Sequence, residues 1–287
     1  MHTSSKTLAG RPLRSATKTL LLAAALSASL HSASATTLYS TGFEDPPFAA
    51  GSQLLGQDGW STAIPPFLNP SAATITNTLA SGGLQSVRVR GVDLVGAPEV
   101  DPYAAVGSYR RPLGYDASGA ESTVRIRSDV RLTGPTLGTG DFFAANIAAR
   151  IGDGFAGELS LSSDGRVYGY TGTGVDVPIF ISGTISLNAW HTLGIDVDFA
   201  GNTYTFLVDG TPSSAFAFDA GVVSDILVRE SLVVYANPDT ATNHRADFTA
   251  YYDNVSATAV VPEPASASLL TLGCMSLLGF RRRQNRQ

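Results

Sequence analysis

Trp190-His191-Thr192-Leu193-Gly194-Ile195-Asp196-Val197-Asp198-Phe199 is followed by Ala200-Gly201-Asn202, then by Thr203-Tyr204-Thr205-Phe206-Leu207-Val208 and the pair Asp209-Gly210. Leu193, Ile195, Val197 and Phe199 alternate with Gly194, Asp196 and Asp198, and Tyr204, Phe206 and Val208 alternate again beyond the turn. Apolar residues at every second position put one face of a strand on a core. Two such runs joined by a short turn rich in Gly and Asn read as a hairpin. The period of two recurs at 123–132, where Val124, Ile126, Val130 and Leu132 share a face. Asp164-Gly165 turns 158–161 into 166–170, and Val87 with Val89, 226–236 and 248–255 read as further strands. No stretch between 36 and 260 shows a long 3.6-residue period. The expected fold is therefore all-β: a two-sheet antiparallel β-sandwich of six or seven strands per sheet, in one domain over 36–256.

This hairpin resembles one in concanavalin A-like, laminin-G-type jelly rolls, where the aromatic side chains of the pair fill the space between the sheets. The resemblance implies a jelly-roll body. It implies little about activity, because sugar binding, protein binding and glycoside hydrolysis all occur on that scaffold.

The flanks differ from the body. Lys6, Arg11, Arg14 and Lys18 precede the apolar run 20–30, and Ala33-Ser34-Ala35 places small residues where a signal peptidase reads them. Residues 1–35 are thus expected to be a signal peptide with a short helix, Ala33 and Ala35 marking the cleavage site and the mature chain starting near Thr36. At the other end, a linker at 257–261 leads to Pro262-Glu263-Pro264, an apolar segment at 265–280 and Arg281-Arg282-Arg283. Sixteen helical residues reach roughly 24 Å, a marginal transmembrane helix against a hydrocarbon core of about 30 Å. The arginines are expected to stay on the cytoplasmic side. Residues 262–287 resemble a PEP-CTERM sorting signal of exported proteins in Gram-negative bacteria. The resemblance implies an exosortase-type membrane enzyme as processing partner, beside signal peptidase, and a route from transient inner-membrane anchorage to the cell surface or beyond. The single cysteine, Cys274, lies inside this segment and forms no internal disulfide.

Removing the flanks exposes the charge of the body. Between 36 and 260 there are eleven arginines, no lysine and 23 acidic residues, a net of −12. A nucleic-acid backbone needs clustered cations, so this composition excludes nucleic acid as a partner and suits divalent cations or neutral sugars better. Phosphate loops of the Gly-x-x-x-x-Gly-Lys type fail for want of lysine.

Tyr39-Ser-Thr-Gly42-Phe43-Glu44 and Tyr251-Tyr252-Asp253-Asn254-Val255 resemble the first and last strands of carbohydrate-binding jelly rolls that hold a structural calcium where those strands meet. The resemblance implies Glu44 and Asp253 as ligands of one calcium ion, a metal that takes several hard oxygens. For catalysis, laminarinase-like enzymes of the fold carry Glu-x-Asp-x-x-Glu or Glu-x-Asp-x-Glu strands, with paired carboxylates on one face. Glu121, Glu158 and Glu230 each lack a second carboxylate at i+2, and Asp196-x-Asp198 reads as an exposed polar face. His191 and His244 supply too few ligands for zinc, and Gly-x-Ser-x-Gly is missing. No catalytic residue is assigned. Trp60, in the turn-rich Gly56-Gln57-Asp58-Gly59-Trp60, is the candidate sugar-stacking ring, ahead of Trp190 and of Tyr103, Tyr109 and Tyr115.

The expectation is a non-catalytic exported protein of the cell surface or matrix, with exopolysaccharide as the candidate partner. Two alternatives stand beside it: a glycan hydrolase or lyase on the same scaffold, and a structural matrix protein without a ligand. An enzyme would show two carboxylates in one groove, roughly 5–9.5 Å apart; a binder needs only exposed rings there, and a groove with neither favours the structural protein.

Overall fold

A computed structural model describes residues 35–62, 72–91, 105–115, 122–136, 143–151, 154–170, 179–217, 228–236 and 247–260. Among them are fifteen strands and no α-helix: β1 (Ala35–Thr41), β2 (Ser61–Thr62), β3 (Ala73–Thr76), β4 (Ser86–Arg90), β5 (Ala105–Pro112), β6 (Thr123–Thr133), β7 (Phe143–Ile151), β8 (Gly154–Ser162), β9 (Val167–Tyr170), β10 (Ile179–Ser182), β11 (His191–Asp198), β12 (Thr203–Val208), β13 (Thr211–Ala217), β14 (Val228–Ala236) and β15 (Thr249–Val260). The pairing is antiparallel throughout. One sheet runs β13-β12-β11-β6-β15-β4-β3 with β1 beside β15, and the other runs β10-β9-β8-β7-β14-β5-β2.

The hairpin read from the sequence is β11–β12, with Leu193 opposite Val208 and Val197 opposite Tyr204. Val124, Ile126, Val130 and Leu132 of β6 and Leu193, Ile195 and Val197 of β11 are all buried, so the alternation does place one face on the core. The second sheet answers with Ala145, Ile147 and Ala149 of β7 and Leu159 and Leu161 of β8. The approach is close because β8 and β9 carry glycines under the aromatic side chains. A Cβ on Gly169 would lie 2.5 Å from the Phe206 ring, and one on Gly157 2.9 Å from that of Tyr204. These two glycines make room for the aromatic pair that the sequence places between the sheets.

β15 organises the larger sheet. β6 lies along one side of it; on the other, β4 pairs with Thr249–Tyr252 and β1 with 255–260. The handover between β4 and β1 falls at a register shift between Asp253 and Ser256, where Asn254 takes a φ of 48°. Bulges of this kind bend a strand and re-aim its side chains. The strand runs on to Val260, with Ala257 and Ala259 buried, so the stretch from 257 expected as linker is strand instead. β14 and β15 appear where residues 226–236 and 248–255 led one to expect strands. The signal segment before Ala35, Ala33 included, and the sorting segment with Pro262, Glu263, Pro264, Arg281, Arg282 and Arg283 lie outside the described residues. No helix among the described residues is long and apolar enough to cross a membrane.

Candidate functional site

The bulge in β15 brings Glu44 and Asp253 to one loop, residues 81–85. Asp253 is fully buried; its Oδ2 accepts the backbone N–H of Ser81 at 2.7 Å and of Gly82 at 3.0 Å, and its Oδ1 accepts that of Asn254 at 2.8 Å. Glu44 Oε1 accepts the N–H of Leu84 at 2.8 Å and of Gln85 at 3.1 Å. Gly83, between these donors, has a φ of 64°, and a Cβ there would overlap the Glu44 carboxylate. Asp129, opposite Asp253 in the β6–β15 register, accepts Ser81 Oγ–H at 2.7 Å and Asn254 Nδ2–H at 2.8 Å on Oδ2. Its Oδ1 accepts Thr192 Oγ1–H at 2.7 Å. Burial raises the Asp253 carboxyl above its ordinary 3.8, and the nearby Asp129 charge adds to the rise, although three backbone N–H groups oppose it.

This donor set is a poor match to calcium. Three of the four oxygens of Glu44 and Asp253 are engaged by amides, and calcium takes six to eight oxygen ligands. Among the described residues no group of three or more His, Cys, Asp or Glu is placed to hold a metal. The geometry is that of two carboxylates anchoring a loop.

Trp60 is 1% exposed. Its indole N–H donates to Tyr39 Oη at 2.9 Å, Tyr39 donates to Asp58 Oδ2 at 3.0 Å, and the Arg111 guanidinium lies over the Tyr39 ring at 4.8 Å. The Trp60 ring also packs at 6.0 Å from Phe43. The turn around it folds the ring inward, so Trp60 offers no face to a sugar, and the stacking role expected of it is corrected to a core role. Burial, with Asp58 adding, raises the Tyr39 phenol well above its ordinary range. Trp190 is half-buried and stands edge-on to Tyr251 at 6.5 Å; Tyr115 is buried against Phe199.

The remaining candidates have structural partners. Asp196 pairs with Arg127 at 2.5 Å and Arg125 at 3.5 Å, and Asp198 Oδ1 accepts the N–H groups of Ala200 and Gly201 in the hairpin turn. His191 Nε2–H donates to the Ser186 carbonyl at 2.9 Å, and Nδ1 lies 2.8 Å from Asp209 Oδ2. With Nε2 committed to that carbonyl, His191 is not set up to take a proton from Ser186 Oγ. Glu121 and His244 lie outside the described residues.

Sequence reasoning missed the outer face of the smaller sheet. In β7 and β8 the residues between the core positions are Ala144, Asn146 and Ala148, and Glu158, Ser160 and Ser162. Asn146 stands opposite Ser160, Ala148 opposite Glu158 and Ala144 opposite Ser162. β9 extends the rows with Tyr168 beside Ser160 and Tyr170 beside Glu158. On the far side, Ser231 of β14 is opposite Ala148 and Arg110 of β5 opposite Ser231. Asn146 is 0% exposed, Ser160 and Ser162 1% and Glu158 4%. Asn146 Nδ2–H donates to Glu158 Oε1, whereas Asn146 Oδ1, Ser160 Oγ and Ser162 Oγ have no hydrogen-bond partner. The signal was present as Glu158-Leu-Ser-Leu-Ser162, an alternation whose polar members are small enough to be mistaken for filler.

No protein-family model matches the chain, and no curated protein shows significant similarity to it. Solved structures do resemble it in fold. An endo-1,3-beta-glucanase from Streptomyces sioyaensis superposes with a TM-score of 0.51 at 13% identity, over 79% of this chain and 97% of that one. An endo-beta-1,4-glucuronan lyase from the fungus Trichoderma reesei gives 0.45 at 14% identity, over 78% and 96%. A sialidase gives 0.42 at 12% identity over 69% of this chain, which spans 17% of that protein's length. At these identities the likeness is one of fold alone. The all-β, two-sheet antiparallel fold expected from the hairpin is what the likeness to the glucanase supports.

Proposed function

We propose that this is a non-catalytic, exported cell-surface or matrix protein that holds polysaccharide against the outer face of the smaller sheet. The observation that supports it is the cluster of buried polar atoms on β7 and β8 without partners, Asn146 Oδ1, Ser160 Oγ and Ser162 Oγ. Leaving such atoms unsatisfied costs about 1–3 kcal/mol each, so a sheet that keeps three together gains from a polar ligand. Among the described residues of that face, Glu158 is the one carboxylic acid. A single carboxyl favours binding over hydrolysis by paired acids. A glycan array on the exported protein tests the reading: retention of at least one polysaccharide is expected, and silence across the array would favour a structural matrix protein.

Two parts of this reading rest on the sequence. Export and release are proposed to run through signal peptidase and an exosortase, and Glu263→Ala should leave uncleaved precursor in the membrane. Normal release of that variant would overturn the sorting role of Pro262-Glu263-Pro264. For Glu44 and Asp253, loop anchoring predicts the same melting temperature in calcium and in chelator. A rise of several degrees with calcium would instead restore them as metal ligands.

A further inference from the structure

The net charge of −12 carried by the body is an average that conceals one row of the larger sheet. On the outer face of that sheet Tyr251 of β15 lies between two arginines, opposite Arg88 of β4 on one side and Arg131 of β6 on the other, and Thr74 of β3 stands beyond Arg88. Their chain neighbours Val87, Val89, Val130, Leu132, Ala250 and Tyr252 are buried in the core, so alternation turns the row outward. All four residues are half-buried, as is Trp190, whose ring meets Tyr251 edge-on at 6.5 Å. Arg88 Nη2–H donates to Thr74 Oγ1 at 3.3 Å, whereas the Nε–H groups of Arg88 and Arg131 have no acceptor. Among the described residues neither guanidinium forms an ion pair, although Arg125 and Arg127, farther along β6, both find Asp196. The acids of the adjoining row, Asp129 and Asp253, have their oxygens taken by Ser81, Gly82, Asn254 and Thr192.

We infer that the row Arg88, Tyr251 and Arg131 is a second glycan site, and that it takes an acidic polysaccharide, with the carboxylates of its uronic acid units on the two arginines and a sugar ring against Tyr251 and Trp190. This goes beyond the reading of the smaller sheet, lies on the opposite side of the sandwich and shares no residue with it. A guanidinium is a planar fork of N–H donors that matches a carboxylate, and here two such forks stand without one. Strands two apart in a sheet lie about 10 Å from each other, so the two cations suit two acidic units of one chain better than one small anion. Tyr and Trp set a flat apolar face with a polar tip beside these charges. The C–H face of a sugar ring can cover such a surface, which the mobile side chains of an acidic peptide do not. A nucleic acid is disfavoured by the acidic body around the row.

The test is calorimetry of the exported protein with an oligogalacturonate, galacturonic acid, a neutral β-glucan oligomer and poly-glutamate. The oligogalacturonate is expected to bind, to weaken as salt screens the charges, and to lose about tenfold in affinity with Arg88→Gln or Arg131→Gln, one charge-assisted hydrogen bond each. Arg131→Lys keeps the charge and loses the fork, so it should recover only part of that loss. Arg125→Gln removes the same charge from the same face and should leave the affinity unchanged, because Arg125 is engaged with Asp196. Melting curves show which variants are folded. Equal losses from Arg125→Gln and Arg131→Gln would reduce the effect to diffuse charge and overturn the site, as would a folded Arg131→Gln that binds like the parent. Poly-glutamate binding as tightly as the oligogalacturonate would make the ligand an acidic peptide, and galacturonic acid doing so would make it a small anion; either overturns the inference. A neutral oligomer that loses as much affinity in Arg131→Gln would overturn the carboxylate as the group recognised. No binding of the oligogalacturonate would overturn the inference and leave the smaller-sheet reading to its own glycan array.

Discussion

Asp253 shows how one side chain can stand out in the sequence while its partners stay hidden. Its place at the meeting of first and last strands was legible from Tyr251-Tyr252-Asp253-Asn254, but the loop at 81–85 that occupies its oxygens comes from more than 160 residues earlier and leaves no local mark. Its raised pKa has a measurable consequence. The folded form holds a proton more tightly than the unfolded chain, so the contribution of Asp253 to stability is fullest below its ordinary 3.8 and is lost as pH climbs through the folded value. The stability difference between wild type and Asp253→Asn, followed by thermal melts across pH 3 to 7, should therefore narrow as pH rises. A difference that widens would reverse the sign of the shift. Trp60 teaches the complementary lesson. Its Gly- and Asp-rich surroundings suggested a surface loop, yet the same flexible residues let the turn tuck the indole under Tyr39 and Phe43. Trp60→Ala should cost about 3–5 kcal/mol in chemical denaturation and leave polysaccharide retention by the refolded fraction unchanged.

At the scale of strands, legibility followed burial on one face only. β6, β11 and β12 each have one wet side, and their alternation is plain. β7 is Phe-Ala-Ala-Asn-Ile-Ala-Ala-Arg-Ile, buried on both sides from 143 to 149, and no period survives in such a strand. Asn146 was hidden for that reason: among alanines, without alternation, nothing marked it as facing away from the core. The glycines of β8 and β9 were equally opaque, because what they make room for lies in β12. Gly169→Ala should destabilise the domain by about 1–3 kcal/mol through overpacking against Phe206. The same exchange at Gly183, where nothing lies within 4 Å of the added Cβ, should be nearly silent. Equal melting temperatures for the two variants would contradict the inter-sheet packing described.

For the whole molecule, β15 is both the last strand and an interior one. The larger sheet cannot close until residues 249–260 have joined it, between β6 on one side and β4 and β1 on the other. A chain stopped after Val260 should therefore melt like the mature protein. One stopped after Ser256 should melt lower and expose β1 to protease, since it loses the buried Ala257 and Ala259 and the partners of 35–39. Identical proteolysis patterns would show that β1 holds on without them. The boundary was misplaced in the sequence because 257–260 reads Ala-Thr-Ala-Val, small residues that carry little hydrophobic signal.

Ala35 and Val260 are direct partners in the β1–β15 ladder. Cα atoms so paired sit about 5 Å apart, which makes the body topologically a near-closed ring of chain. It follows that the polypeptide could be cut open at the exposed Asp209-Gly210 tip and its old ends sewn together by a few glycines, and the circularly permuted product should assemble the same two sheets in a different order of synthesis.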